Sequence, residues 1–228
     1  MKAVIILSGG LDSTTLLHYV KKELKYDEIY ALTFNYGQRH KKEIECAKYQ
    51  ATSVGCKEHK IIDISFFKDL TKGASALTDE SIHVPHIKDV LGDPQPITYV
   101  PNRNMILLSI ATAYAESVGA SDVFYGAQAH DTYSGYWDAS PEFLDKINEV
   151  LSLNRRHIIS IKAPFIHLKK RDLIALGLKL GVDYSRTWTC YNGKDKACGV
   201  CPTCSDRIKA WKDIGQKDPL EYAIDIEW

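Results

Sequence analysis

Apolar positions along the chain follow two alternating periods, and the alternation predicts the fold class. Residues 3–7, 29–34, 58–64, 122–125 and 157–161 are short runs rich in Val, Ile, Phe or Tyr, as strands are. Between most of them lie segments with apolar residues three and four apart, at 13–24, 41–54, 103–118, 141–153 and 169–180. These predict helices, and Gly119 and Gly181 stand where two of them would stop. The order implies an α/β fold, a Rossmann-like parallel sheet with helices on both faces and right-handed crossovers. Two stretches, 66–98 and 127–140, carry neither period. Such segments serve as lids or binding loops, or else as solvated excursions and subunit contacts, and Pro85, Pro94 and Pro96 leave both readings open for the first.

Composition narrows the picture. A chain of 228 residues, 45% of them hydrophobic, suits one large α/β domain, 1–183, with a small C-terminal segment, 184–228. Lys and Arg number 29 and so do Asp and Glu, so no global field draws the protein to nucleic acid or to an anionic membrane. Neither partner is expected. No basic and apolar leader precedes the first strand, and the apolar stretch 105–115 is too short to span a bilayer, so a cytoplasmic location is expected.

Of the six cysteines, Cys46 and Cys56 are scattered and read as structural. Cys190, Cys198, Cys201 and Cys204 crowd together near the C-terminus, the last three at two-residue intervals. Four thiolates match tetrahedral zinc and close its coordination sphere, which predicts one structural ion per chain that also stabilises a segment with little apolar core. An iron–sulfur cluster is the competing occupant. A redox dithiol fits less well, because pairing any two of the last three cysteines leaves one unmatched.

The hexapeptide Ser8-Gly9-Gly10-Leu11-Asp12-Ser13 joins the first strand to the first helix. Two glycines let the backbone approach an anion, the helix start offers unpaired N–H groups, and Ser8, Ser13 and Thr14 add hydroxyls. An ordinary turn with Asp12 or Ser13 as N-cap is the plain alternative, but the strand-to-helix setting favours a phosphate cradle. The lysine of a P-loop and the third glycine of a dinucleotide fingerprint are both absent. The run resembles the pyrophosphatase loop (PP-loop) of the N-type ATP pyrophosphatases. That resemblance implies ATP at Leu7, Ser8, Gly9, Gly10, Leu11, Asp12, Ser13, Thr14 and Thr15, with Mg²⁺ on Asp12.

Three further segments belong at strand ends or helix starts, where open α/β sheets bind ligands: 33–40, 99–104 and 125–141. Arg103 is the only arginine between Arg39 and Arg155, and a guanidinium facing a cleft suits a phosphate or a carboxylate. The plainer reading pairs it with an acidic neighbour, with Asn102 or Asn104 capping the helix. His40, His130 and His167 read as structural, and Asp131 as a binding-loop residue rather than a turn residue.

Together, the SGGLDS loop, Tyr36-Gly37-Gln38-Arg39-His40, Val100-Pro101-Asn102-Arg103-Asn104, Asp131 with Ser134-Gly135-Tyr136, and the cysteine cluster resemble the 7-cyano-7-deazaguanine synthases of queuosine biosynthesis along nearly the whole chain. The resemblance implies the PP-loop ATPase fold with a small C-terminal zinc-binding segment held by four cysteines. It also implies an enzyme that converts 7-carboxy-7-deazaguanine and ammonia to the nitrile with ATP, as a homodimer. Ser8, Asp12, Ser13 and Arg103 would carry the chemistry, and Tyr36 and Gln38 would join the nucleotide site. Arg103, Asp131, Ser134, Tyr136, Asp138 and Glu142 would hold the substrate. Where the family pattern reads Gly-Tyr-Pro-Asp-Cys-Arg, this chain has Gly135-Tyr136-Trp137-Asp138-Ala139-Ser140, which keeps a carboxylate at Asp138 for a guanine-like edge. Neither Cys46 nor Cys56 sits in a nucleophile elbow, so free ammonia is the expected nitrogen donor. A different adenylating amidotransferase, a tRNA thiolase, or a non-catalytic ATP-sensing zinc ribbon are the alternatives on the same loop.

Overall fold

The computed structural model describes residues 1–39, 41–93, 95–128, 136–192 and 195–228. Among them five parallel strands form one sheet in the order β3-β2-β1-β4-β5. They are β1 (Lys2–Ile6), β2 (Glu28–Asn35), β3 (Glu58–Asp63), β4 (Asp122–Phe124) and β5 (Ser160–Lys162). The helices are α1 (Leu11–Lys22), α2 (Lys42–Val54), the single turn α3 (Phe67–Leu70), α4 (Arg103–Val118), α5 (Pro141–Leu151), α6 (Lys170–Lys179) and α7 (Pro202–Asp213).

Successive residues of β1 point to opposite faces, and each face has its own core. Ala3, Ile5 and Leu7 pack with Leu16, Leu17, Ala47, Leu173 and Trp211 of α1, α2, α6 and α7. Val4 packs with Leu108, Ala111 and Phe143 of α4 and α5. Both faces are therefore covered, as a parallel sheet requires. Strand order reverses between β1 and β4, so the crevice at their carboxyl ends is where such a sheet takes ligands. No helix of the described residues is long and apolar enough to cross a membrane.

Three elements differ from the sequence expectation. Helix α1 begins at Leu11 rather than at 13, because Gly10 serves as its N-cap. Strand β5 starts at Ser160 rather than at 157: the Asn154 side chain turns the preceding residues by accepting from the N–H of Arg156, and Asn148 of α5 bonds both backbone groups of Ile161. The 202–213 helix was unmarked because its buried stripe, Cys204, Arg207, Ile208 and Trp211, includes a charge. The 66–98 stretch is mostly irregular, and Arg39 holds it by donating from Nε and Nη2 to the carbonyls of Ala76 and Asp79, both at 2.6 Å.

Arg207 is neutralised in place. Its guanidinium donates to both carboxylate oxygens of Asp218 at 2.6 and 2.8 Å, and both side chains are essentially fully buried. Thr187 Oγ1 and the Tyr184 carbonyl each take one further donor. Asp218→Ala leaves that charge buried and alone, so chemical denaturation should show a loss of about 3–5 kcal/mol. A loss below about 1 kcal/mol, the range of an exposed pair, would refute the burial.

Candidate active site

A cleft of about 280 Å³ opens at the carboxyl ends of β1, β2 and β4. The loop after β1 forms one side. Gly9 has φ +82°, and a Cβ there would lie 2.0 Å from the Glu43 carbonyl oxygen and 2.7 Å from the Ala47 nitrogen, so α2 packs directly on the loop's backbone. The hydroxyls of Ser8 and Ser13 meet at 2.9 Å, and they accept from Gly10 N and Ser8 N at 3.2 and 3.1 Å. These bonds hold the loop open in a cradle. No side chain caps α1, and Gly10, Asp12 and Ser13 at its start line the cleft. Across the mouth, Gly126 packs against the α1 start, where a Cβ would meet Ser13 N at 3.2 Å.

Asp12 lines the cleft and accepts from Lys170 Nζ at 3.2 Å, while Lys170 also reaches Asp206 of α7 at 3.1 Å. Opposite, Arg103 lies with its guanidinium carbon 5.5 Å from the Tyr36 ring centre and donates to the Tyr36 hydroxyl at 3.4 Å. Asn102 adopts φ +54° ahead of α4, with its N–H bonded to the Tyr99 hydroxyl, and this turn delivers Arg103 inward. Tyr36, Tyr125, Tyr136, Trp188 and Tyr191 give the cleft flat walls. Burial raises the phenol pKa of Tyr36 and of Tyr191, so both stay neutral.

Glu43 also lines the cleft, and burial pushes its carboxyl up to about 7. Three other polar atoms of the lining, Tyr125 OH, Gln128 Oε1 and Thr189 Oγ1, are buried without a partner among the described residues. Gln128 spends its amide N–H on the Leu168 carbonyl, which aims its oxygen the other way. Buried polar groups of this kind call for a ligand that bonds them.

The ligand atoms of Cys190, Cys198, Cys201 and Cys204 lie within 4.8 Å of one another. Backbone N–H groups of Asn192 and Cys198 donate to Cys190 Sγ, and that of Cys201 donates to Cys198 Sγ, which stabilises the thiolate form a metal needs. The cluster sits beside the cleft: Thr189, Tyr191 and Thr203 line it, and Trp188 N donates to the Gly9 carbonyl at 2.9 Å.

The family model for the queuosine biosynthesis protein QueC matches residues 2–215. The chain is 49% identical over 228 residues to the 7-cyano-7-deazaguanine synthase of Caldicellulosiruptor saccharolyticus, covering 100% of this chain and 98% of that one. It is 46% identical to that of Clostridium kluyveri over 227 residues, covering 97% of each. The chain belongs to the QueC family. Its members named here are synthases, and the function of this chain is 7-cyano-7-deazaguanine synthesis in queuosine biosynthesis. The fold recurs in a 4-thiouridine synthetase solved with RNA and bound ATP, at TM-score 0.51 and 19% identity over 79% of this chain and 40% of that one. It recurs again in the U34-tRNA thiolase of Methanococcus maripaludis, at TM-score 0.50 and 16% identity over 94% of this chain and 64% of that one.

Within this QueC chain the expected residues are not all at the cleft. Leu7, Ser8, Gly10, Asp12, Ser13, Tyr36, Arg103 and Tyr136 line it. Leu11 packs in the core, and Thr15 bonds the Leu11 carbonyl and the Tyr184 hydroxyl away from the cleft. Thr14 is fully buried within α1. Gln38 spends its amide internally, accepting from Tyr36 N and donating to Phe34 O and Glu43 Oε1. Asp138 is buried behind the wall, where its carbonyl accepts from Asn104 and burial raises its carboxyl pKa against the pull of Arg103. Glu142 lines a different groove, between α4 and α5. Asp131, Ser134, His40 and His130 lie outside the described residues. Tyr125 and Gln128 fall in the 125–141 segment expected at the cleft without being singled out, while Glu43, Thr189 and Tyr191 were not expected there, since only the fold brings α2 and the cysteine segment to the cleft.

Proposed function

We propose that the cleft turns the carboxylate of 7-carboxy-7-deazaguanine into a nitrile, using ATP and ammonia, through two successive adenylates. The observation that carries this reading is the uncapped start of α1 behind the SGGLDS cradle, facing the same cleft as Arg103 and the aromatic walls. A carboxylate resists ammonia because its oxygen leaves poorly. Attack of that oxygen on the α-phosphorus of ATP makes an acyl adenylate and expels pyrophosphate, which the start of α1, with its dipole, and the Ser8 and Ser13 hydroxyls would stabilise. Ammonia then displaces AMP to give the amide. Adenylation of the amide oxygen and loss of a second AMP give the nitrile. Flat walls suit a deazapurine ring, and Arg103 suits its carboxylate.

Mg²⁺ fits at Asp12, a carboxylate beside the phosphate cradle, where it would neutralise charge on the leaving pyrophosphate. Zn²⁺ fits the four thiolates as a structural ion. Mass spectrometry after incubation with the acid, ATP, Mg²⁺ and ammonium should show the nitrile together with AMP. The acid returning untouched from a protein that binds ATP would overturn the reading.

The same proposal takes the enzyme as a cytoplasmic homodimer acting on small molecules, without nucleic-acid or membrane partners. An apolar groove of about 700 Å³ between α4 and α5, lined by Met105, Trp137, Phe143, Ile147 and Val150, offers the surface for a second copy. Val150 is 65% exposed. Val150→Asp should convert the dimer to a monomer in light scattering; an unchanged dimer would place the interface elsewhere.

A further inference from the structure

Resting on that reading of the reaction, we propose that Glu43 is the site where ammonium binds and gives up its first proton. Glu43 reaches the cleft from the first turn of α2, whose backbone is pressed against Gly9, so its carboxylate stands beside the loop that holds the reacting nucleotide. Gln38 Nε2 donates to Oε1 at 2.8 Å, and Gln38 is itself fixed by Tyr36 N and the Phe34 carbonyl. That strut orients the carboxylate and leaves Oε2 without a hydrogen-bond partner among the described residues.

Asp12 and Glu43 are the only acidic side chains in the described lining of the cleft, and Asp12 is paired with Lys170. Arg103 from α4 faces Glu43 and favours its ionised form, Tyr36 beyond β2 is neutral, and Cys46 follows on its own helix. A carboxyl titrating near 7 is matched to taking and releasing a proton at neutral pH. Ammonium has no lone pair to attack with. One N–H proton passes to the Glu43 carboxylate, and the ammonia so formed attacks the acyl carbon. A C–N bond forms, the C–O bond to phosphate breaks with its electron pair on AMP, and the second proton shed by nitrogen leaves with the phosphate. Glu43 then returns its proton to water.

The test compares two nucleophiles in Glu43→Gln. Hydroxylamine is already neutral at pH 7 and needs no base before attack. With ammonium the variant should lose on the order of 10²-fold in amide and nitrile formation, as removal of a general base does. With hydroxylamine it should form the hydroxamate at close to the wild-type rate, and its acid-dependent exchange of pyrophosphate into ATP should persist. Equal losses with both nucleophiles would overturn the proposal in favour of a nucleotide or Mg²⁺ role, and no loss with ammonium would overturn it outright. Absence of pyrophosphate exchange in the wild type would instead overturn the adenylation reading, separately from Glu43.

Discussion

Asp12→Ala should abolish turnover while the protein stays folded. The carboxylate sits in the first turn of α1, at the mouth of the phosphate cradle. As the residue that would hold Mg²⁺, it would place a cation where charge grows on the departing pyrophosphate. A metal in that position supplies several kcal/mol of transition-state stabilisation, and about 4 kcal/mol corresponds to a rate loss of roughly 10³-fold. The cost to folding is far smaller. Lys170 loses one partner but keeps Asp206 at 3.1 Å, so no cation is stranded. Loss of an acidic group from a helix start removes only about 0.3–1 kcal/mol. Single-turnover assays and thermal melts on the same preparation read the two effects apart. Near-normal turnover would refute the magnesium role, and a collapsed melt would show that Asp12 serves the fold.

The centre of the sheet was legible because β1 and β2, buried along most of their length, leave nearly unbroken apolar runs, whereas β3 mixes Ile61 and Ile62 with charged residues and has none fully buried. Helices α1, α2, α4, α5 and α6 were legible because each follows the helical period to within two residues at either end. Helix α7 was not, since Arg207 and Cys204 read as polar chemistry until Asp218, eleven residues on, is seen to neutralise the arginine. Local motifs carried the site as far as they could. The cradle and the cysteine cluster are contiguous in sequence, so spacing alone exposed them. Gln38 was expected at the nucleotide, but its side chain bends back to its own turn, and the residue that reaches the cleft is Glu43, in the first turn of α2. Glu142 fell on the outer groove because the turn at Trp137–Ala139 carries the chain around the cleft wall before α5 begins. Side-chain direction within a loop is set by what packs behind it, and that is absent from any local pattern.

Removing the metal from the four cysteines should silence the enzyme without contact to any reactant. The segment around them has a small core, Trp188, Cys190, Ala197, Cys201 and Cys204 with Ala76 and Val84, of which three are themselves ligands. Structural zinc contributes about 10–16 kcal/mol in isolated zinc-finger peptides, where the site does not exist without it. Here the Arg207 bond to the Tyr184 carbonyl and the packing of Trp211 tie α7 to the main core independently, so the loss should be partial. Loosening reaches the active site through named bonds. Trp188 N no longer fixes the Gly9 carbonyl, Thr203 no longer holds the Thr189 carbonyl, and Thr189 and Tyr191 leave the cleft wall. Chelation should therefore abolish turnover, keep most of the far-UV signal of the sheet and helices, and lower the melting temperature by about 10–20 °C, at the roughly 2–4 °C per kcal/mol of a chain this size. Elemental analysis should find one zinc per chain and no iron, and restoring zinc should restore activity. Full activity and an unshifted melt in the stripped protein would mean that the thiolates hold nothing the cleft depends on.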